Sequence, residues 1–259
     1  METTVDKLRV GDRLVIGHYT AKVDNFSPPP ITWLKTNKQN EFISEFVLDL
    51  LSADSFERIQ RTDGRSINDY WTSNLQQYLC SQDCNWYSPT HEHDVPPLNP
   101  YNVCGNYATR PGFLCGWNDY EINCLELMHF TVQNVRGQAL VRIPFPYEVC
   151  SDGLQLFHRK GVRAKPSVDA KNRFDRNGYT HFAPYWMMPL ASDTNCWEEL
   201  WVNSNHSFRS VNHTSGIRPI IKVKFDTPVT LNEFGQYVVV GHEDHLIGHA
   251  DLLNLLGIA

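Results

Sequence analysis

A helical period is sustained best in one stretch of this chain. Across residues 66–80, Ile67, Tyr70, Trp71, Asn74, Leu75, Tyr78 and Leu79 recur at i, i+3 and i+4, which predicts a helix with one apolar stripe. Elsewhere the apolar residues come in short runs separated by turn formers. Residues 14–16, 31–34 and 46–51 are strand candidates, and Ser27-Pro28-Pro29-Pro30 divides the first from the second. Residues 217–225 alternate like a strand, and residues 238–240 open a tail.

Between residues 81 and about 120 the composition turns to Pro, Asn, Gly, Tyr, Trp and Cys, and neither period persists. A long ordered loop region held by aromatic side chains is expected there. Over 121–142, Leu125, Leu127, Met128, Phe130 and Val132 mix both periods, leaving a second helix or a strand pair open. The expected fold is α+β: many short antiparallel strands, long ordered loops and one or two helices. Two units are expected, a module over 1–227 and a C-terminal extension over 228–259. The extension ends in an amphipathic stretch with Leu252, Leu253, Leu255 and Leu256, suited to packing on the domain or on a neighbouring copy.

With 259 residues, 41% of them apolar, the chain can bury a real core without a disulfide framework. A formal charge of −6 argues against a general nucleic-acid binder, which needs a basic face to displace phosphate counterions. The opening residues carry charges where a signal peptide needs an apolar run, and no later run approaches a membrane span, so synthesis in a cytoplasm and no membrane partner are expected. Seven cysteines, Cys80, Cys84, Cys104, Cys115, Cys124, Cys150 and Cys196, are irregularly spaced and odd in number. They are expected to be reduced, independent thiols.

No Gly-rich phosphate loop, G-x-S-x-G elbow or H-E-x-x-H occurs, which removes the easily read enzyme classes. His242, His245 and His249 would share one helix face and offer three imidazoles to a transition metal, against a plain reading as a polar loop with first-turn acids Glu243 and Asp244. His91-Glu92-His93-Asp94 places two imidazoles on one side of an extended segment, or in a surface loop. The segment 159–176 is locally basic and suits a solvated loop or an anionic partner. Trp117, Asn118 and Asp119 are similar to the calcium- and sugar-binding strand motif of C-type lectins. Adjacent Asn and Asp oxygens suit calcium and a Trp face suits a sugar, while turn chemistry is the plainer use of Asn118-Asp119.

An ordered set of motifs spans residues 8–224: Gly11-Asp12-Arg13-Leu14-Val15-Ile16-Gly17, Ile31-Thr32-Trp33-Leu34, Trp71-Thr72-Ser73-Asn74-Leu75-Gln76-Gln77-Tyr78-Leu79, Tyr185-Trp186-Met187-Met188-Pro189 and Gly216-Ile217-Arg218-Pro219-Ile220-Ile221. The order resembles an uncharacterised domain family of bacteria and their phages, itself similar to the C-type-lectin and formylglycine-generating-enzyme fold. Gln76, Tyr78 and Cys80 depart from that family's usual Arg, Trp and Asn, and Met188-Pro189 replace its Arg-Ser. The resemblance implies a C-type-lectin-like fold. Trp33, Trp71 and Trp186 read as core anchors, and Arg218 as a buried guanidinium bonded to loop carbonyls.

Together these features lead us to expect a non-enzymatic structural or receptor-binding component of a bacteriophage particle, a head decoration, fibre or tail adsorption protein, located in the virion. The expected partners are other virion proteins, copies of itself and a host-surface glycan; no cofactor is expected. The rival is an enzyme of the formylglycine-generating type or a metal-assisted hydrolase.

Overall fold

The computed structural model describes residues 2–19, 28–54, 69–86, 107, 110–150, 165–167, 170, 184–189, 196–200, 206–211 and 213–241. Among them, fifteen strands and three short α-helices form a mixed, mostly strand α+β architecture. The larger sheet runs in the order β1 (Glu2–Thr4), β14 (Pro228–Leu231), β15 (Tyr237–Val239), β2 (Arg13–His18), β3 (Pro30–Lys35), β4 (Glu41–Ser44), β13 (Ile220–Lys222) and β8 (Val141–Arg142). A second sheet runs β11 (His206–Ser210), β10 (Cys196–Leu200), β9 (Tyr185–Trp186), β12 (Thr214–Ile217) and β5 (Asp49–Ser52). The pairing is antiparallel except between β15 and β2 and between β12 and β9.

The local reasons are visible in the residues. In β3 the inward positions Ile31, Trp33 and Lys35 alternate with less buried neighbours, and Pro30 sits at the first strand position, where its missing N–H does least harm to a ladder. The middle of β2, Leu14, Val15 and Ile16, is apolar and all three residues are buried. A hairpin joins β6 (Met128–Val132) to β7 (Val135–Ala139) through Gln133 and Asn134, at φ 52° and 66°. Two successive left-handed residues are what a two-residue hairpin turn with the strands' own twist requires.

Three tryptophans anchor the core. Trp33, Trp186 and Trp197 are fully buried; the Trp33 Nε1 donates to Ile16 O at 2.9 Å and the Trp186 Nε1 to Leu51 O at 2.7 Å. The two sheets are joined where β12 leads into β13 through Arg218-Pro219. Arg218 is buried there, donates from Nε to Ser44 O at 3.0 Å, and lies 5.4 Å over the Tyr185 ring. One guanidinium thus connects the end of β4 in the larger sheet to β9 in the smaller, as the buried-guanidinium reading expected.

Two expectations are corrected. The predicted helix over 66–80 is a 3-10 turn, Tyr70–Thr72, followed by α1, Asn74–Leu79. Ser73 stands between them in extended conformation, and its hydroxyl caps α1 by accepting from Gln76 N, so the apolar stripe is continuous although the helix is not. Where the C-terminal extension is expected to begin, β14 is hydrogen-bonded on both sides, to β1 and β15, with Val229, Val238 and Val239 buried, so the described part of the extension packs on the larger sheet. Residues 242–259 lie outside the described residues.

The second correction concerns the thiols, since Cys84 and Cys115 form a disulfide with Cα atoms 5.2 Å apart. Backbone bonds Leu114 N to Ser81 O and Gly112 N to Asp83 O lay the two segments side by side, a proximity that 31 residues of separation conceal in the sequence. Cys80 and Cys124 are free. No helix among the described residues is long and apolar enough to cross a membrane.

Candidate ligand-binding site

Trp117, Asn118 and Asp119 lie at the start of α2, Asp119–Asn123. Asn118 is the N-cap: its Oδ1 accepts from Glu121 N at 2.8 Å, while Glu121 Oε2 accepts from Asn118 N at 3.0 Å. This reciprocal capping box satisfies two of the helix's free N–H groups. Glu121 is buried and also accepts from Gly17 N at 3.1 Å. The Trp117 ring is buried beside Trp33 and Phe113, and a Cβ at Gly17 would lie 2.1 Å from it. With φ at +69°, Gly17 is required twice, by conformation and by the indole's approach. Of the residues expected to bind calcium or sugar, Trp117 has its face in the core and Asn118 its side-chain oxygen on the cap, while Asp119 is exposed. His242, His245 and His249, and the His91–Asp94 group, lie outside the described residues. So does the basic segment apart from residues 165–167 and 170. Among the described residues no group of three or more His, Cys, Asp or Glu is placed to hold a metal ion.

A pocket of about 360 Å³ opens elsewhere, where the end of the larger sheet meets the β6–β7 hairpin. Lys38 and Glu41 line it from the turn before β4 and from β4 itself. Met128, His129, Phe130 and Thr131 come from β6, Arg142 from β8, and Phe145 and Tyr147 from the start of α3, Pro146–Cys150. Pro146 takes the first helical position, where its lack of an N–H is harmless and its φ is already helical. Glu148, two residues on, reaches back to accept from Phe145 N at 2.8 Å. That local chemistry places Glu148 against Arg142 and Lys38, behind the pocket lining, and leaves Tyr147 exposed.

Lys38, Glu41 and Arg142 of the lining join Glu148 behind them in a closed lattice of four charges. Arg142 donates to both oxygens of Glu148 at 2.8 Å, and to Glu41 Oε2 at 2.7 Å. Lys38 donates to Glu148 Oε1 and lies 3.9 Å from Glu41. Arg142 and Glu148 are each only 1% exposed. Burial alone would raise the Glu148 carboxyl, but the Arg142 guanidinium and the Lys38 ammonium outweigh it and hold it below the usual carboxylate range. Burial acts against the charge on Arg142, and Glu148 and Glu41 reverse the sign, so its pKa is raised. These groups are moved away from neutrality, the opposite of what a general acid or base needs.

Aromatic rings complete the walls. Phe145 and Tyr147 stack with centroids 4.9 Å apart, and Tyr147 stays 45% exposed. Arg142 lies 5.4 Å from the Phe145 ring and 5.8 Å from that of Phe130. Trp71, expected in the core, is half-buried and braces this wall: it stacks on Phe130 at 4.6 Å, and its Nε1 donates to Val135 O at 3.1 Å. A Cβ at Gly137 would come within 2.7 Å of the Trp71 ring, so a glycine there admits the indole.

None of Lys38, Glu41, Arg142, Tyr147 and Glu148 stood out in the sequence. The Phe145-Pro146-Tyr147-Glu148 run does carry a readable helix start, with Pro at the first position and Glu at the third. The partners of Arg142 carried no such signal, because Glu41 is 101 residues away. Comparison of the chain with family models, with curated proteins and with solved structures returns no match.

Proposed function

We propose that this chain is a non-enzymatic component of a bacteriophage particle, a head decoration or fibre protein or a tail adsorption protein, and that the pocket between β6, β8 and α3 is where it meets a ligand on the host surface. The ordered motifs from Gly11 to Ile221 support the particle reading. The many short strands, few helices and long connections suit a C-type-lectin-like arrangement of the module. A disulfide whose Cys84 is exposed suits a protein that works outside a reducing cytosol, as a released particle does.

The observation that carries the binding reading is a half-exposed aromatic ring held beside a lattice whose charges are already neutralised by one another. Such a lattice fixes position and hydrogen-bonding geometry without supplying a proton donor or acceptor poised near neutral pH. Antibody raised against the full chain and applied to particles purified from the strain that encodes it tests the particle assignment in electron micrographs. Label at a fixed position on head or tail is expected. Particles without label, with all of the chain in the cleared lysate, would overturn it.

A further inference from the structure

Resting on the reading of this pocket as a binding site, we infer that its ligand is a neutral, hydroxyl-rich ring of the hexose type, and that Tyr147 is the platform against which the ring lies. The charge balance decides against ionic ligands. The lining carries Lys38, Arg142 and Glu41, and Glu148, buried behind them and bonded to both cations, brings the sum to zero. A carboxylate or phosphate would surrender its hydration to reach Arg142, only to find both of its terminal nitrogens already donating to Glu148, Glu41 and Ile143 O. A cationic ligand would seek the aromatic faces. Phe130 and Phe145 already hold the Arg142 guanidinium, and the Lys38 ammonium, 5.9 Å from the Tyr147 centroid, repels a second cation from that ring while leaving a neutral ligand unopposed.

A hydroxyl group donates and accepts without bringing net charge. It can donate to Glu41, whose side chain is 16% exposed, and accept from Lys38, 33% exposed, while leaving the lattice intact. His129 and Thr131, both exposed on the outward face of β6, add donors and acceptors at the rim. The apolar face of a sugar ring matches the exposed side of Tyr147, whose orientation is set by its stack on Phe145. The volume lies at the lower end of the ~300–1,000 Å³ typical of small-molecule sites, which suits a short glycan segment rather than a bulky cofactor.

The test titrates the full chain with three neutral polysaccharides, dextran, mannan and a galactan, and separately with polygalacturonate as an acidic probe and chitosan oligosaccharide as a cationic one, at low and high salt. Saturable, salt-insensitive binding of at least one neutral glycan is expected. Tyr147→Ser should weaken it about tenfold, and Tyr147→Phe should leave it within about twofold, since the ring and not the hydroxyl is the platform. Both variants should melt with the parent cooperativity, because Tyr147 is half-exposed. Tyr147-dependent binding confined to the acidic or the cationic probe would overturn the neutral-ligand inference and leave the binding site standing. No binding of any probe, or binding that Tyr147→Ser does not alter, would overturn the site as well.

Discussion

Replacing Arg142 by Met separates the charge lattice from its neighbours more sharply than any other single change. The substitution keeps much of the aliphatic length and removes the bidentate pair with Glu148, the bond to Glu41 and the bond to Ile143 O. Glu148 then remains buried with Lys38 and Phe145 N as its partners. Stranding one member of a buried ion pair typically costs about 3 to 5 kcal/mol, because the remaining charge keeps its desolvation penalty and loses its compensation. For a chain of this size that is a fall in melting temperature of roughly 6 to 20 °C. The companion variant Arg142→Met/Glu148→Leu removes both charges and should recover most of the loss, since apolar replacement of a whole buried pair is often close to neutral. Urea unfolding of the parent, both single variants and the double variant closes the cycle. A coupling of at least ~2 kcal/mol is expected. Additive losses, or a cost below ~1 kcal/mol for Arg142→Met alone, would refute the claim that this lattice organises the pocket.

The same lattice predicts a pH dependence. Glu148 is held below its unfolded value near 4.5, so its contribution is fully present above that pH and is lost as pH falls through the folded value; in Glu148→Gln the acid limb of the melting profile should flatten. Trp186→Ala should cost about 3 to 5 kcal/mol by cavity formation in denaturant unfolding, because the indole is fully buried and holds Leu51 O; an unchanged midpoint would remove it from the core. Reducing the Cys84–Cys115 disulfide should destabilise the chain by roughly 3 to 4 kcal/mol for a 31-residue loop, seen as a lower melting temperature in reductant that Cys84→Ser reproduces. Gly137→Ala should release Trp71 from the β6–β7 hairpin, read as a red shift of tryptophan emission with the rest of the fold retained.

What could be read from the residues alone was set by short-range chemistry. Short apolar runs and turn formers located β2 and β3 closely, and the apolar stripe found the region of α1, because these signals act within a few residues. The break at Ser73 was legible in principle, as a serine followed at three residues by a glutamine, and was overridden by the continuing stripe. Asn118 and Glu121 have the spacing of a capping box, which competes with a lectin-type reading of Trp117-Asn118-Asp119. The pocket was not legible. Lys38, Glu41, Arg142 and Glu148 meet only because β4, β13 and β8 pair in that order, and strand order across a sheet leaves no local trace. The disulfide was hidden because the two loop segments that carry it meet across 31 residues with no local signal.

Where the chain touches a glycan, and what becomes of that glycan, can be measured in one sample. Chemical-shift mapping of the isotope-labelled full chain against polysaccharide extracted from the host surface, with the glycan's size followed alongside, gives both. Shifts centred on His129, Thr131, Arg142 and Tyr147 with unchanged glycan length are predicted. Shifts confined to another surface, or progressive shortening of the glycan, would contradict the proposal of a non-enzymatic binding protein that uses this pocket.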